Sequence, residues 1–107
     1  MSIKQAEIKK MASLYHGGSV SSRTVITAGG EMKSLGIMLP GVYRFSTDAG
    51  QRIEITQGQC RVKLADRQEW DEYVAGDGFE VPANSHYEIE VIDVLDYVCH
   101  YGPEAHD

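Results

Sequence analysis

A chain of 107 residues, 42% hydrophobic and 24% charged, encloses one core and is too short for two. No apolar run approaches the roughly 20 residues a membrane helix needs, and a net charge of -6 disfavours a nucleic-acid partner, which calls for a clustered basic face. The N-terminus, MSIKQAEIKKMAS, never becomes a continuous apolar segment, so the expected compartment is the cytoplasm.

In chain order, residues 2 to 12 place Ile3, Glu7 and Lys10 on one side of a short helix, but the apolar stripe is thin and uncapped. Residues 1–13 therefore read as an N-terminal arm, helix or lid, and 14–107 as a single domain. From Leu14 onward, Gly17-Gly18, Gly29-Gly30, Pro40-Gly41, Gly50, Gly58, Gly76 and Gly78 divide the chain into short segments rich in Val, Ile, Thr and Tyr. Ile53 and Ile55 alternate against Arg52, Glu54 and Thr56; beyond a turn expected at Gln57-Gly58, Cys60, Val62 and Leu64 alternate against Arg61 and Lys63. Phe79 and Val81 precede Pro82. Tyr87, Ile89 and Val91 then alternate against His86, Glu88 and Glu90, and Leu95, Tyr97, Cys99 and Tyr101 share the last apolar face. Many short antiparallel strands with one apolar face each are hidden by two packed sheets or by a closed barrel, so an all-β domain is predicted. Cys60 and Cys99 sit inside the apolar alternation without C-x-x-C spacing, as buried reduced thiols do.

The spacing Gly76-x5-Pro82-x-Asn84 resembles the second motif of the cupin superfamily, G-x5-P-x-G-x2-H, with Asn84 at a position that needs a residue tolerant of positive φ. The motif's histidine position falls on Tyr87. His86 is one residue early, which on a strand turns the imidazole to the outer face. Anchoring the first motif, H-x-H-x3or4-E-x6-G, on Gly58 places Gln51 at its glutamate, and the Arg44 to Thr47 region holds no histidine. A transition metal needs three or four convergent imidazole or carboxylate donors, so the resemblance implies a metal-free cupin, an antiparallel β-barrel or jelly roll.

Five further strings occur in series: GVYRFST (Gly41 to Thr47), ITQGQCRVKL (Ile55 to Leu64), Trp70, GDGFEVPANS (Gly76 to Ser85) and YVCHY (Tyr97 to Tyr101). Together they resemble the pyrimidine/purine nucleoside phosphorylases, a family of small single-domain cupins. That resemblance implies a broad-specificity pentosyltransferase. Inorganic phosphate is its co-substrate, no cofactor is needed, and the products are a free base and a pentose 1-phosphate.

Phosphorolysis sets three tasks: holding phosphate, stabilising an oxocarbenium-like sugar, and tolerating many leaving bases. For phosphate, the candidates are the Ser46 and Thr47 hydroxyls, with Arg44 or Arg52 as charge partner; the alternative is a plain Ser/Thr turn. Tyr43, Phe45, Tyr87, Tyr97 and Tyr101 share parity and line one cavity, or, for Phe45 and Tyr101 above all, merely fill the barrel. Tyr87 and Thr47 are the expected catalytic residues, and Gln51 hydrogen-bonds a sugar hydroxyl without transferring a proton. Glu54 and Glu88 read as solvated, His86 and His100 as surface histidines, and His106 as part of a polar tail. A homodimer is expected because single-domain cupins leave strand edges to be covered. The competing readings are a non-catalytic cupin that binds a sugar or small metabolite, and a metal-dependent cupin carrying bound metal.

Overall fold

The computed structural model describes residues 2–102, so His106 lies outside the described residues. Among the described residues nine strands form the fold: β1 (Glu7–Ile8), β2 (Ser13–Tyr15), β3 (Val20–Ile26), β4 (Met32–Met38), β5 (Gly41–Thr47), β6 (Gln51–Leu64), β7 (Asp71–Val74), β8 (Gly78–Val81) and β9 (Ser85–Tyr101). A single 3-10 turn, His16–Gly18, is the one helical element among the described residues. No helix there is long and apolar enough to cross a membrane.

All the pairings are antiparallel, and β6 and β9 organise them. These two long strands pair with each other along most of their length, from Gln51 opposite Tyr101 to Leu64 opposite Tyr87. Each end of the ribbon then recruits its own neighbours. The first half of β6 pairs with β8 and its second half with β7; the first half of β9 pairs with β5 and its second half with β4, which continues to β3. The result is two sheets joined by a shared, bent ribbon, with the apolar parity of both halves turned inward.

The inward set follows the alternation read from the sequence. Ile53, Ile55, Cys60, Val62, Ile89, Val91, Leu95, Tyr97 and Cys99 are all buried in one cluster, and each fully buried aliphatic side chain contributes about 1.5–3 kcal/mol. Both cysteines are free and buried. Ile55 and Cys60 lie five residues apart, an odd interval, so strict alternation would turn one of them outward. Register shifts between Ile55 and Cys60 absorb the extra residue as bulges against β9.

Two sequence expectations change here. The turn at Gln57-Gly58 is a bulged bend within one continuous 14-residue strand. Gly58 adopts φ +97, and a Cβ there would stand 2.4 Å from the Val94 carbonyl oxygen, so the position demands glycine for bending rather than for reversing the chain. The arm contains no α-helix. Instead β1 and β2 add to the edge of β3, because that edge offers backbone partners whereas a thin apolar stripe offers a helix nothing to bury.

The β7–β8 turn closes over the bend. Gly76 N–H donates to the Ile55 carbonyl (2.8 Å), Ile55 N–H donates to the Asp77 carbonyl (2.9 Å), and Asp77 Oδ2 accepts from Val74 N–H (2.9 Å). Gly58→Ala combines a left-handed φ with a backbone clash, and its expected cost is about 2 kcal/mol or more, read as a lowered urea midpoint with an unchanged slope.

Candidate active site

A cavity of about 170 Å³ opens between the two halves of the ribbon, lined by Tyr15, Val20, Ser22, Met38, Phe45, Ser46, Gln51, Ile53, Tyr87, Tyr97, Cys99 and Tyr101. Its polar groups are phenols, aliphatic hydroxyls, one amide and one thiol. Among the described residues no three His, Cys, Asp or Glu side chains converge, and this lining offers a transition metal none of the imidazole or carboxylate donors it prefers. The donor set does not fit a transition-metal centre.

Tyr87 points inward at the cupin histidine position, as the count from Gly76 requires, and Asn84 adopts φ +54 in the turn before it. Tyr87 is only 4% exposed, its ring lies tilted at 5.6 Å from Phe45 and edge-on at 5.9 Å from Phe79, and its hydroxyl has no hydrogen-bond partner among the described residues. No sealed side-chain polar atom lacks a partner among the described residues, so this hydroxyl opens onto the cavity and is available to whatever enters it. His86 faces away, opposite Ser46 in the β5–β9 register, and lines neither of the cavities described here.

The neighbouring polar atoms are matched. Cys99 Sγ donates to Gln51 Oε1 (3.3 Å), leaving the Gln51 amide nitrogen as a donor. Tyr97 donates its hydroxyl to the Ser21 carbonyl (2.9 Å), and Tyr101 Oη shares a 2.6 Å hydrogen bond with the buried Ser34 hydroxyl. The close approach of Tyr97 to β3 is possible because residue 36 is glycine: a Cβ there would stand 1.9 Å from the Ser21 carbonyl and 2.7 Å from the Tyr97 hydroxyl.

Three expected site residues are placed elsewhere. Thr47 is buried, but its hydroxyl donates to the Pro82 carbonyl (2.7 Å) and accepts from Ser85 N–H (3.0 Å). Its one proton is committed to the strand-end clamp, so it has no donor left for phosphate or catalysis. Arg44 lies on the exposed parity of β5, opposite Glu88, away from the cavity. Tyr43 lines neither cavity; its hydroxyl donates to the Leu39 carbonyl (2.6 Å) and closes the β4–β5 turn. Gln51, Tyr87 and Tyr97 do line one cavity, and Phe45 and Tyr101 join them; Ser46 borders it from the exposed parity of β5.

Tyr15 and Ser22 complete the mouth without having been singled out in the sequence. Their signal was the Gly17-Gly18 pair, which marks a tight turn and thus a hairpin folding residues 13–15 back onto β3. A second, outer cleft of about 610 Å³ shares Gln51 and Tyr101 as a wall and adds Arg52, Glu80 and His100. His100 is outward-facing as expected, yet not free. Lys33 Nζ lies 2.7 Å from its Nδ1 and Glu54 Oε1 lies 2.9 Å from its Nε2. An ammonium only donates, so Nδ1 accepts and the Nε2 proton is given to Glu54.

Burial holds the cavity's acids protonated. It pushes the Cys99 thiol up to about 11, against a hydrogen bond with Tyr101, and the Tyr97 phenol up to about 12, against one with Ser22. Burial likewise raises Tyr87 and Tyr101 well above the ordinary phenol value. Each group is neutral when protonated and holds its proton more tightly in the folded state. Its contribution to stability is thus present below the ordinary values of 9.0 for a thiol and 10.0 for a phenol, and is lost as pH rises through about 11 to 12. Thermal melts followed by circular dichroism are expected to show these groups costing nothing between pH 7 and roughly 9, then a progressive fall in Tm above it.

Comparison with known proteins adds sequence and fold relatives. The profile of the pyrimidine/purine nucleoside phosphorylase family matches residues 10–101. A pyrimidine/purine nucleoside phosphorylase of Paraburkholderia xenovorans (strain LB400) is 44% identical over 97 residues, covering 91% of this chain and 92% of its relative. One from Burkholderia vietnamiensis is 48% identical over 94 residues, covering 88% and 89%. Among solved structures, a protein of unknown function from Acinetobacter sp. ADP1 superposes with a TM-score of 0.91 at 41% identity, over 94% of this chain and 98% of that one. An RmlC-like cupin from Shewanella frigidimarina superposes at 0.69 with 18% identity, over 97% and 89%, a likeness of fold alone.

Proposed function

The chain belongs to the pyrimidine/purine nucleoside phosphorylase family, and on that premise we propose that it is a broad-specificity, cytoplasmic pentosyltransferase acting on purine and pyrimidine nucleosides with inorganic phosphate. A phosphate oxygen forms the bond to the anomeric carbon, the glycosidic C–N bond breaks with its electron pair leaving on the base, and the base takes up a proton. The observation that carries this reading is the Tyr87 hydroxyl, open to a cavity that it shares with Gln51, Ser22 and the rings of Tyr15, Phe45, Tyr97 and Tyr101. Hydroxyls and an amide match the hydroxyls of a pentose. Rings accept any base by its face and read no edge, which suits a tolerant enzyme.

The cavity holds no cationic side chain among the described residues. Of the two arginines the sequence offered for phosphate, Arg44 faces away, whereas Arg52 lines the outer cleft that adjoins Gln51. Arg52 is therefore the phosphate partner we assign. Because the cavity thiol and phenols keep their protons near neutrality, general-base catalysis by them is unfavourable, and rate acceleration rests on positioning and on hydrogen bonds to the developing oxocarbenium sugar.

Incubating the protein with inorganic phosphate and a panel of nucleosides is expected to release free base and pentose 1-phosphate. Tyr87→Phe is expected to lower kcat/KM by about tenfold, the worth of one buried hydrogen bond to substrate, with Tm within a few degrees of wild type. Base release from no nucleoside would leave the alternative of a non-catalytic cupin that binds a sugar or small metabolite.

The partner proposed is a second copy of the chain. Leu35, Ile37 and Leu39 form an exposed apolar row on the outer side of β4 and its extension, and such a row favours a self-complementary contact. Sedimentation equilibrium is expected to give twice the chain mass of 11.9 kDa, and Ile37→Glu to return it to a single chain mass.

A further inference from the structure

The cavity is too small for the ligand assigned to it. Sites for small organic ligands run to roughly 300–1,000 Å³, against about 170 Å³ here, so a nucleoside seated wholly within this cavity, rather than reaching into the outer cleft beyond Gln51 and Tyr101, needs a wall to move. Most of the lining comes from strands that are paired on both sides or packed in the core. Tyr15 is the exception: it sits on the three-residue strand β2, every residue of which is exposed, and is itself 46% exposed.

The segment carrying Tyr15 is tied upstream, ends downstream in an open turn, and between them pairs with β3 over only three residues. Upstream, Arg23 Nη1 donates to the carbonyls of Lys9 (3.1 Å) and Lys10 (2.8 Å). Downstream, His16, Gly17 and Gly18 adopt φ +52, +69 and +95 in succession, and nothing lies within 4 Å of a Cβ built on either glycine. Three consecutive left-handed residues in open space form a turn with little packing to hold it. Met11 and Leu14, between the tie and the turn, stay exposed. Lifting β2 leaves β3 paired to β4 along its whole length.

Besides the three-residue ladder of β2 on β3, what holds the strap closed is aromatic and exchangeable. The His16 ring lies 5.0 Å from Tyr43 and 5.3 Å, edge-on, from Phe45; the Tyr15 ring meets Phe45 edge-on at 6.4 Å. A flat heterocycle inserted between Tyr15 and Phe45 would replace one ring contact with two. The geometry points to residues 11–18 as a hinged strap over the cavity, with Tyr15 as the side chain that closes over the base of a bound nucleoside. This rests on the phosphorylase reading for the identity of the ligand; the hinge does not.

Full-length Tyr15→Ala and Tyr15→Phe test both halves. Cys99 lines the same cavity, whereas Cys60 is buried outside it, so modification by a thiol reagent, resolved by mass spectrometry, reports opening at Cys99 with Cys60 as internal control. Tyr15→Ala is expected to speed Cys99 modification about tenfold, with Cys60 unchanged, and to raise KM for uridine and adenosine about tenfold, the usual loss of one base–aromatic stack. KM for phosphate is expected to stay within about twofold, and Tyr15→Phe to match wild type in every readout. Unchanged Cys99 modification in Tyr15→Ala overturns Tyr15 as the closing wall, and an unchanged nucleoside KM overturns it as the base contact. A wild-type protein that releases no base from any nucleoside sinks the phosphorylase reading separately, and the ratio of Cys99 to Cys60 modification then still decides the strap.

Discussion

The backbone of Gly58 comes so close to that of Val94 that no side chain fits between them, and the two long strands bend around that contact. Everything else in the fold is arranged on either side of it. Before the bend β6 faces inward with Ile53 and Ile55; after it, Cys60 and Val62 face inward, a parity that five intervening steps forbid without a bulge. One ribbon thereby serves two sheets, and the space between its halves becomes the cavity. Gly76 N–H donating to the Ile55 carbonyl and Ile55 N–H donating to the Asp77 carbonyl hold the bend in place, which gives Gly58 and Gly76 a joint mechanical role.

The same bend fixes the chemistry available inside. The two ribbon positions that the motif spacing assigns to a glutamate and a histidine here present Gln51 and Tyr87 to the cavity. Close packing then removes water from the phenols and the thiol and holds them in their neutral forms. A cavity of neutral donors and acceptors suits a polyhydroxylated sugar. Charge is confined to the outer side, where Lys33, His100 and Glu54 run as a chain of hydrogen bonds and Arg52 stands next to Glu80 across the β6–β8 register. Two chemically distinct compartments thus meet at the wall made by Gln51 and Tyr101.

Precision of placement separates the residues that work together from those that only resemble a site. Thr47 and Ser46 are adjacent and equally plausible as phosphate donors in one dimension. One residue of strand alternation sends Thr47 into a clamp with Pro82 and Ser85 and leaves Ser46 at the cavity rim. Tyr43 and Phe45 share parity, yet Tyr43 spends its hydroxyl on the Leu39 carbonyl at the far end of the strand. Parity tells which side a residue faces; it does not tell how far along the strand the cavity extends.

The sequence by itself determined the period-2 alternation, and with it the all-β class, the inward set from Ile53 to Cys99, the positive φ at Asn84 and the exchange of an imidazole for Tyr87 at the inward position. These are local properties: they depend on the two-residue repeat of a strand and on which residues tolerate a left-handed backbone. Tertiary structure alone decided that Gln57-Gly58 bends a strand instead of ending it, that the N-terminal arm extends a sheet edge rather than coiling, and that Tyr15 reaches the cavity mouth. Only there was it decided which hydroxyls are consumed by the scaffold. Those outcomes depend on partners distant in the chain, Val94 for Gly58, Thr24 to Ile26 for the arm, Pro82 and Ser85 for Thr47, and no local pattern encodes a hydrogen bond to a residue that folding has yet to bring near.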